Sequence, residues 1–477
     1  MTGSRVLANT GYRLLADVGG KVGSVVLFIV MGRKLGDATF GLFTFAYSLV
    51  AIVTALADFG QDKVLTREVA RERGLLDRYF LNTLVLKLGL ALPALAVSVA
   101  ALALGGRSEE TVATVALLGA AVLVDLLAST AYATFQAYER LEFIPVALIT
   151  ERFVTAGAGI VALLLGAGVV TIAAIFLGGA LLTFVLAMRL LVRHVVRPVF
   201  RIERSRWWPL MLAAAPIGLA GIASVFLFRI DTVLLAAFKS DEVVGNYGAA
   251  YRLFESTLFL SWAVGAAAYP VYSQRTGQAL AGVYERTLKL AVALTLPFAV
   301  GAAVLGDRVI EILYGDDFDT AGTALRLLSP AIVFYALAYL AGYVLVSQQR
   351  PLVLTAVYAA VAVENVLLNL VLIPTYSLNG AAIGTSISEG LVAVALVWGA
   401  WHCGGVADFG RVLAGPVLAG AAAAAVMWAL HDQFALAVVG GALAYGLTLA
   451  LFEGTVFPHD ANALWSSLRP AKALRRS

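Results

Sequence analysis

Apolar runs of about 20 residues, each bounded by charge, glycine or proline, recur along the whole chain. That is the length an α-helix needs to cross a ~30 Å hydrocarbon core. The pattern predicts about fourteen such helices, near 11–32, 40–60, 80–104, 111–137, 143–166, 168–192, 209–238, 245–272, 286–306, 323–347, 352–374, 378–402, 410–430 and 434–454. The stretches between them reach about 20 residues at most, too short for a folded soluble domain.

Composition agrees with this reading. Of 477 residues, 61% are hydrophobic and 13% charged, whereas an ordinary soluble domain carries roughly a quarter charged residues. So few charges cannot cover a soluble surface of this size, but a bundle facing lipid needs almost none. The expected fold class is therefore all-α, a polytopic membrane protein. The net charge of +4 gathers in short loops and the C-terminal tail, so it reads as a topology signal and not as a nucleic-acid surface. With the N-terminus inside, the inner loops receive Lys63, Arg67, Arg71, Arg73, Arg78, Arg193, Arg197, Arg201, Arg204 and Arg206. The tail adds Arg469, Lys472, Arg475 and Arg476, and the outer loops hold Arg33, Lys34, Arg107, Lys239 and Arg308. The positive-inside rule then places both termini in the cytoplasm. Arg13, Asp17 and Lys21 interrupt the first span, which is expected to stay in the mature protein and not serve as a cleaved signal.

Several chemistries lose support here. The single Cys403 excludes an internal disulfide, and the scattered His194, His402, His431 and His459 lack metal-ligand spacing, so no metal or other cofactor is expected. There is no Walker A sequence to hydrolyse ATP. Trp207, Trp208, Trp262, Trp398, Trp401 and Tyr272 fall near span ends and are expected to form an interfacial belt.

One internal repeat organises the chain. Asp37-Ala-Thr-Phe-Gly-Leu-Phe-Thr-Phe-Ala-Tyr-Ser-Leu49 aligns with Asp241-Glu-Val-Val-Gly-Asn-Tyr-Gly-Ala-Ala-Tyr-Arg-Leu253, matching Asp, Gly, an aromatic, Ala, Tyr and Leu. An even number of spans separates the copies, which implies two six-helix halves related by an axis along the membrane normal. The expected organisation is an N-lobe over 1–192, a basic linker over 193–208, a C-lobe over 209–402, a helix pair over 403–454 and a basic tail over 455–477.

Five segments in order, GRKLGDATFGLFTFAYSL (32–49), ADFGQDKVLTREVARER (57–73), FRIDTVLLAAFKSDEVVGNYGAAYRLFE (228–255), IEILYGDDFDTAG (310–322) and NGAAIGTSISEG (379–390), resemble the polysaccharide (O-antigen type) flippases of the multidrug/oligosaccharidyl-lipid/polysaccharide exporter superfamily. The resemblance implies a MATE-like pair of six-helix lobes plus a terminal helix pair. It also implies alternating access and movement of polyprenyl-diphosphate-linked oligosaccharide from the inner to the outer leaflet. The implied partners are that lipid-linked glycan, membrane lipid, H⁺ or Na⁺ as driving ion, and other polysaccharide-assembly proteins. A multidrug or small-solute antiporter of the same fold and a peptidoglycan-precursor flippase are the alternatives. A membrane glycosyltransferase or polymerase would need a larger loop or an acidic metal motif.

A pyrophosphate crossing hydrocarbon needs cations facing a cavity. Arg13, Asp17 and Lys21 recur every fourth residue and share a face, leaving one positive charge over. Arg152 adjoins Glu151 but points about 100° away from it. Folding the seventh and eighth helices as a hairpin brings Arg229 level with Glu255 and Asp231 level with Arg252. These four either clamp the hairpin as two ion pairs or leave Arg229 or Arg252 for phosphate. The same counting pairs Lys87 with Asp125. It also sets Glu364 and Glu389 at one depth, with Asn365 and Asn369 nearby. Two carboxylates in one low-dielectric site cannot both ionise easily, which suggests an H⁺ or Na⁺ coupling site unless Lys289 or Arg326 reaches them; separate salt bridges or a polar wall for sugar is the other reading.

Overall fold

The computed structural model describes residues 3–199 and 201–456, with side chains from residue 23 onward. Every regular element among the described residues is helical: α1 (Gly3–Asp58), α2 (Gln61–Arg71), α3 (Leu76–Leu104), α4 (Glu109–Ala137), α5 (Phe143–Leu164), α6 (Val169–His194), α7 (Trp207–Phe238), α8 (Asp241–Tyr272), α9 (Gly277–Tyr314), α10 (Ala321–Ser347), α11 (Pro351–Trp401), α12 (Phe409–Ala429) and α13 (Phe434–Val456). Eleven helical spans among these residues are long and apolar enough to cross a membrane, and this is a multi-pass membrane protein.

Two helices are broken inside, and both breaks have local causes. α1 bends at Gly36, where φ of 77° suits a residue without a Cβ. α11 bends at Ser377, which takes φ of 56° three residues after Pro374, whose ring nitrogen cannot complete the preceding turn. Two helix starts carry side-chain caps. Ser108 accepts from the Thr111 N–H at 3.2 Å ahead of α4, with Glu109 and Glu110 set against the positive end of its dipole. Asp408 accepts from the N–H groups of Gly410 and Arg411 ahead of α12.

The polarity of the bundle is inverted relative to a soluble protein. Leu104, Leu165, Trp428 and Val394 are exposed toward lipid, while Lys87, Asp231, Asn365 and Asn369 are buried between helices. The largest apolar cluster runs continuously from Leu27 and Phe43 on α1 through Phe254 on α8 to Leu328 on α10 and Ala382 on α11. α12 and α13 pack on each other and on α9, where Gly420 lets α12 approach Leu296 and Val300. The buried Lys289 of α9 pairs there with Glu453 of α13.

The two copies of the repeated segment meet each other. A Cβ on Gly41 would strike the Asp241 carbonyl, and a Cβ on Gly245 would strike the Asp37 carbonyl. Matching residues of the repeat thus make reciprocal backbone contacts, as a two-fold axis between them requires.

Candidate functional site

A cavity of about 660 Å³ opens between these halves, lined from α1, α4, α5, α6, α7, α8, α9 and α10. That lies within the range of small-ligand sites. Its walls are aromatic and charged. Phe28 and Tyr47 of α1 face Phe228 of α7, Trp262 of α8 and Tyr335 of α10, and the Trp262 indole N–H donates to the Tyr335 hydroxyl at 2.7 Å.

Arg229 on α7 and Arg252 on α8 converge on one carboxylate. Glu255 accepts from Arg229 Nη2 at 2.7 Å and from Arg252 Nη1 at 3.0 Å. All three are mostly buried, with side-chain exposures of 14%, 11% and 18%. The Arg252 guanidinium lies 4.0 Å from the centroid of the Phe28 ring and 4.6 Å from that of Tyr47, positions where ring faces attract a cation. Its Nη2 is buried and has no hydrogen-bond partner among the described residues. Two guanidinium charges on one carboxylate leave this wall positive, with an unused donor.

Carboxylates line the same cavity. Asp125 of α4 and Glu151 of α5 line the cavity beside Arg152 and Tyr132, and no basic group among the described residues forms an ion pair with Asp125. Hairpin counting across the α4–α5 turn would have placed Asp125 within a helical turn of Glu151.

Several sequence expectations need correction. Lys87 does not pair with Asp125. Its Nζ lies 2.6 Å from Asp62 and 3.5 Å from Asp58, and it donates to Ser129, Thr130 and the Leu126 carbonyl. The chain turns from α1 into the short α2, and that turn brings both carboxylates against α3. Arg229–Glu255 forms, but Asp231–Arg252 does not. Residues 229 and 231 lie about 200° apart around α7, so Asp231 faces inward, accepting from Tyr247, from Thr385 Oγ1 at 3.0 Å and from its neighbour's N–H at 2.7 Å. Glu364 and Glu389 do not share a site. Ser388 donates to Glu364 at 2.9 Å and accepts from Asn365 at 3.0 Å, and Asn369 donates to Asn365 at 3.0 Å. Glu389, one residue on, is turned about 100° from that network and is buried at 3% exposure. Neither Lys289 nor Arg326 reaches them, being paired with Glu453 and Asp307. Trp262 belongs to the cavity and Tyr272 is fully buried, so neither joins the interfacial belt. Arg152 lines the cavity. Arg13, Asp17 and Lys21 lie outside the described side chains.

At the end of the bundle carrying the Gly36 bend, the two halves are bonded to each other. Arg107 from the α3–α4 turn donates to the Ala236 carbonyl and pairs with Asp241 at 3.1 Å, so its charge sits at the negative end of α7. Arg33 donates to the carbonyls of Ile312 and Leu313 at the end of α9. Asn246 donates to Asp37 at 3.2 Å and accepts from the Ala321 N–H at 3.1 Å. Together with the Gly41–Gly245 contact, these bonds seal the seam.

Comparison with known proteins places this geometry. A family model described as polysaccharide biosynthesis protein matches residues 6–275, and the MatE model matches residues 216–371. The probable low-salt glycan biosynthesis flippase Agl15 of Haloferax volcanii is 24% identical over 365 residues, 75% of either chain. The putative O-antigen transporter of Shigella dysenteriae is 23% identical over 386 residues, covering 76% of this chain and 91% of that protein. In fold, the chain is similar to the lipid II flippase MurJ in its inward closed conformation, with a TM-score of 0.78 and 14% identity over 93% of this chain and 98% of the other. An inward-facing multidrug resistance MATE family transporter gives 0.66 with 16% identity over 80% and 94%.

Proposed function

The chain belongs to the polysaccharide biosynthesis protein family and is a flippase-type transporter, not an enzyme, and from that premise we propose that its cargo is a polyprenyl-(pyro)phosphate-linked oligosaccharide. The observation that carries this reading is the Arg229–Glu255–Arg252 group lining the cavity, in which one buried Arg252 nitrogen has no hydrogen-bond partner among the described residues. A phosphate oxygen satisfies that donor at low cost, because the positive charge there is already desolvated. The names of the flippase relatives favour the same cargo.

In the proposed cycle, two six-helix lobes over 1–192 and 209–402 rock about the cavity in the cytoplasmic membrane, with both termini cytoplasmic. The head group enters while the Gly36 side is shut, the polyprenyl tail stays in lipid, and rocking exposes the head group to the other leaflet. An H⁺ or Na⁺ gradient resets the carrier. A second reading, export of an organic cation, draws support from the acidic wall of Asp125 and Glu151.

Liposomes containing the purified chain and fluorescent polyprenyl-diphosphate-linked oligosaccharide test these readings. Arg252→Ala should slow leaflet exchange about tenfold or more, the equivalent of losing one charge-assisted bond. Asp125→Asn should leave it nearly unchanged. The reverse ranking, or exchange of a lipophilic cation in place of the glycan, would overturn the proposal. Exchange of a peptidoglycan precursor alone would redirect it to that lipid.

A further inference from the structure

Beyond transport, we infer that the segment joining α6 to α7 is a docking site for anionic phospholipid headgroups. Its residues on either side of position 200 are anchored to α3. Asn82 of α3, only 1% exposed, makes four bonds, three of them to Arg201, Glu203 and Trp207. Its amide donates to the Arg78 and Arg201 carbonyls at 2.6 and 3.0 Å, and its oxygen accepts from the Glu203 N–H at 2.9 Å and the Trp207 indole at 2.8 Å. Asp77 accepts the Val199 N–H at 2.9 Å.

This anchoring gathers three arginines on one carboxylate. Arg206, Arg201 and Arg78 lie 2.7, 3.1 and 3.7 Å from Glu203. The hydrogen bond from Arg206, helped by the charges of Arg201, Arg206 and Arg78, holds the Glu203 carboxyl below the usual carboxylate range. Glu203 is therefore ionised at neutral pH, and two positive charges remain over. Arg193, Arg197 and Arg204 add more along the same stretch.

The cations are not arranged for a soluble partner. Arg201 keeps 64% of its side chain exposed, and beside it stand the exposed apolar Val199, Ile202 and Trp208. Trp208 lies in the first turn of α7, one turn before the exposed Leu212. Exposed apolar side chains set among surplus guanidiniums at a span end match the level where acyl chains give way to phosphates. A fixed cluster of forks at that level binds a phosphodiester better than dispersed lysines would.

The test does not depend on the transported cargo. The full chain is placed in nanodiscs of mixed phosphatidylcholine and phosphatidylglycerol, extracted gently, and the co-retained lipids are measured by native mass spectrometry. The wild type should enrich phosphatidylglycerol. Each exposed arginine replaced should reduce the enrichment about fivefold, so Arg78→Gln with Arg201→Gln should nearly abolish it, while Arg201→Lys keeps most of it. Both side chains are exposed, so folding should survive, as checked by circular dichroism. A wild type without preference for phosphatidylglycerol, or a double variant that retains it, would overturn the inference.

Discussion

Substituting Gly245 with alanine tests how the seam on the Gly36 side is held. The added methyl would lie 1.9 Å from the Asp37 carbonyl oxygen, and the next nearest atoms, the Asp37 carbonyl carbon and the Gly41 nitrogen, are also backbone. No side chain can swing away, so α1 and α8 must separate. Overpacking of this kind costs about 1–3 kcal/mol, which shifts the balance between closed and separated seams about 5- to 150-fold. Gly41→Ala should act alike, since its methyl meets the Asp241 carbonyl. Once the helices have parted, the second methyl finds room already made, so the double variant should cost clearly less than the two singles together. The assay is labelling of Thr44→Cys by a membrane-impermeant maleimide in a Cys403→Ser background. Thr44 is 5% exposed and packs against Gly248 across the seam. The thiol should react slowly in that background and much faster with Gly245→Ala. Unchanged labelling in a folded variant, or strictly additive effects, would refute the reasoning.

Other expectations follow from the ion pairs. Glu255→Ala leaves two mostly buried guanidiniums on one wall and should destabilise the protein by about 3–5 kcal/mol, more than Arg229→Ala does, read by thermal unfolding in detergent. Lys87→Met strands Asp62 and Asp58 and should cost a similar amount, with much of it recovered when Asp62→Asn is added. For Glu203, whose folded pKa lies below its unfolded value, the stabilising contribution is present above the ordinary carboxylate pKa of about 4.3. It is lost as pH falls through the lowered folded value. Protease resistance of the linker should therefore hold from pH 7 to 5 and fail in stronger acid, and Glu203→Gln should remove the resistance at every pH.

The membrane class was legible from apolar run length because crossing hydrocarbon imposes a length and a composition on every span, whatever its neighbours. The repeat was legible because matching loops before α1's second limb and α8 keep the same Asp and Gly positions, and Arg229–Glu255 could be read because hairpin depth can be counted from a turn. Depth, however, is only one coordinate of a helical residue. Asp231, Glu389 and Lys87 do not take the partners that counting along a hairpin gives them, since one residue of offset turns a side chain by about 100°. Which way each helix faces is set by packing against elements distant in the chain: Thr385 of α11 takes Asp231, and the α1–α2 turn delivers Asp58 and Asp62 to Lys87. The meeting of acidic groups from α4 and α5 with the arginines of α7 and α8 at one cavity arises the same way. The sequence by itself determined which charges had to be sheltered from lipid; the tertiary structure alone decided which partner shelters each, because rotation about the helix axis is settled by contacts that no local pattern encodes.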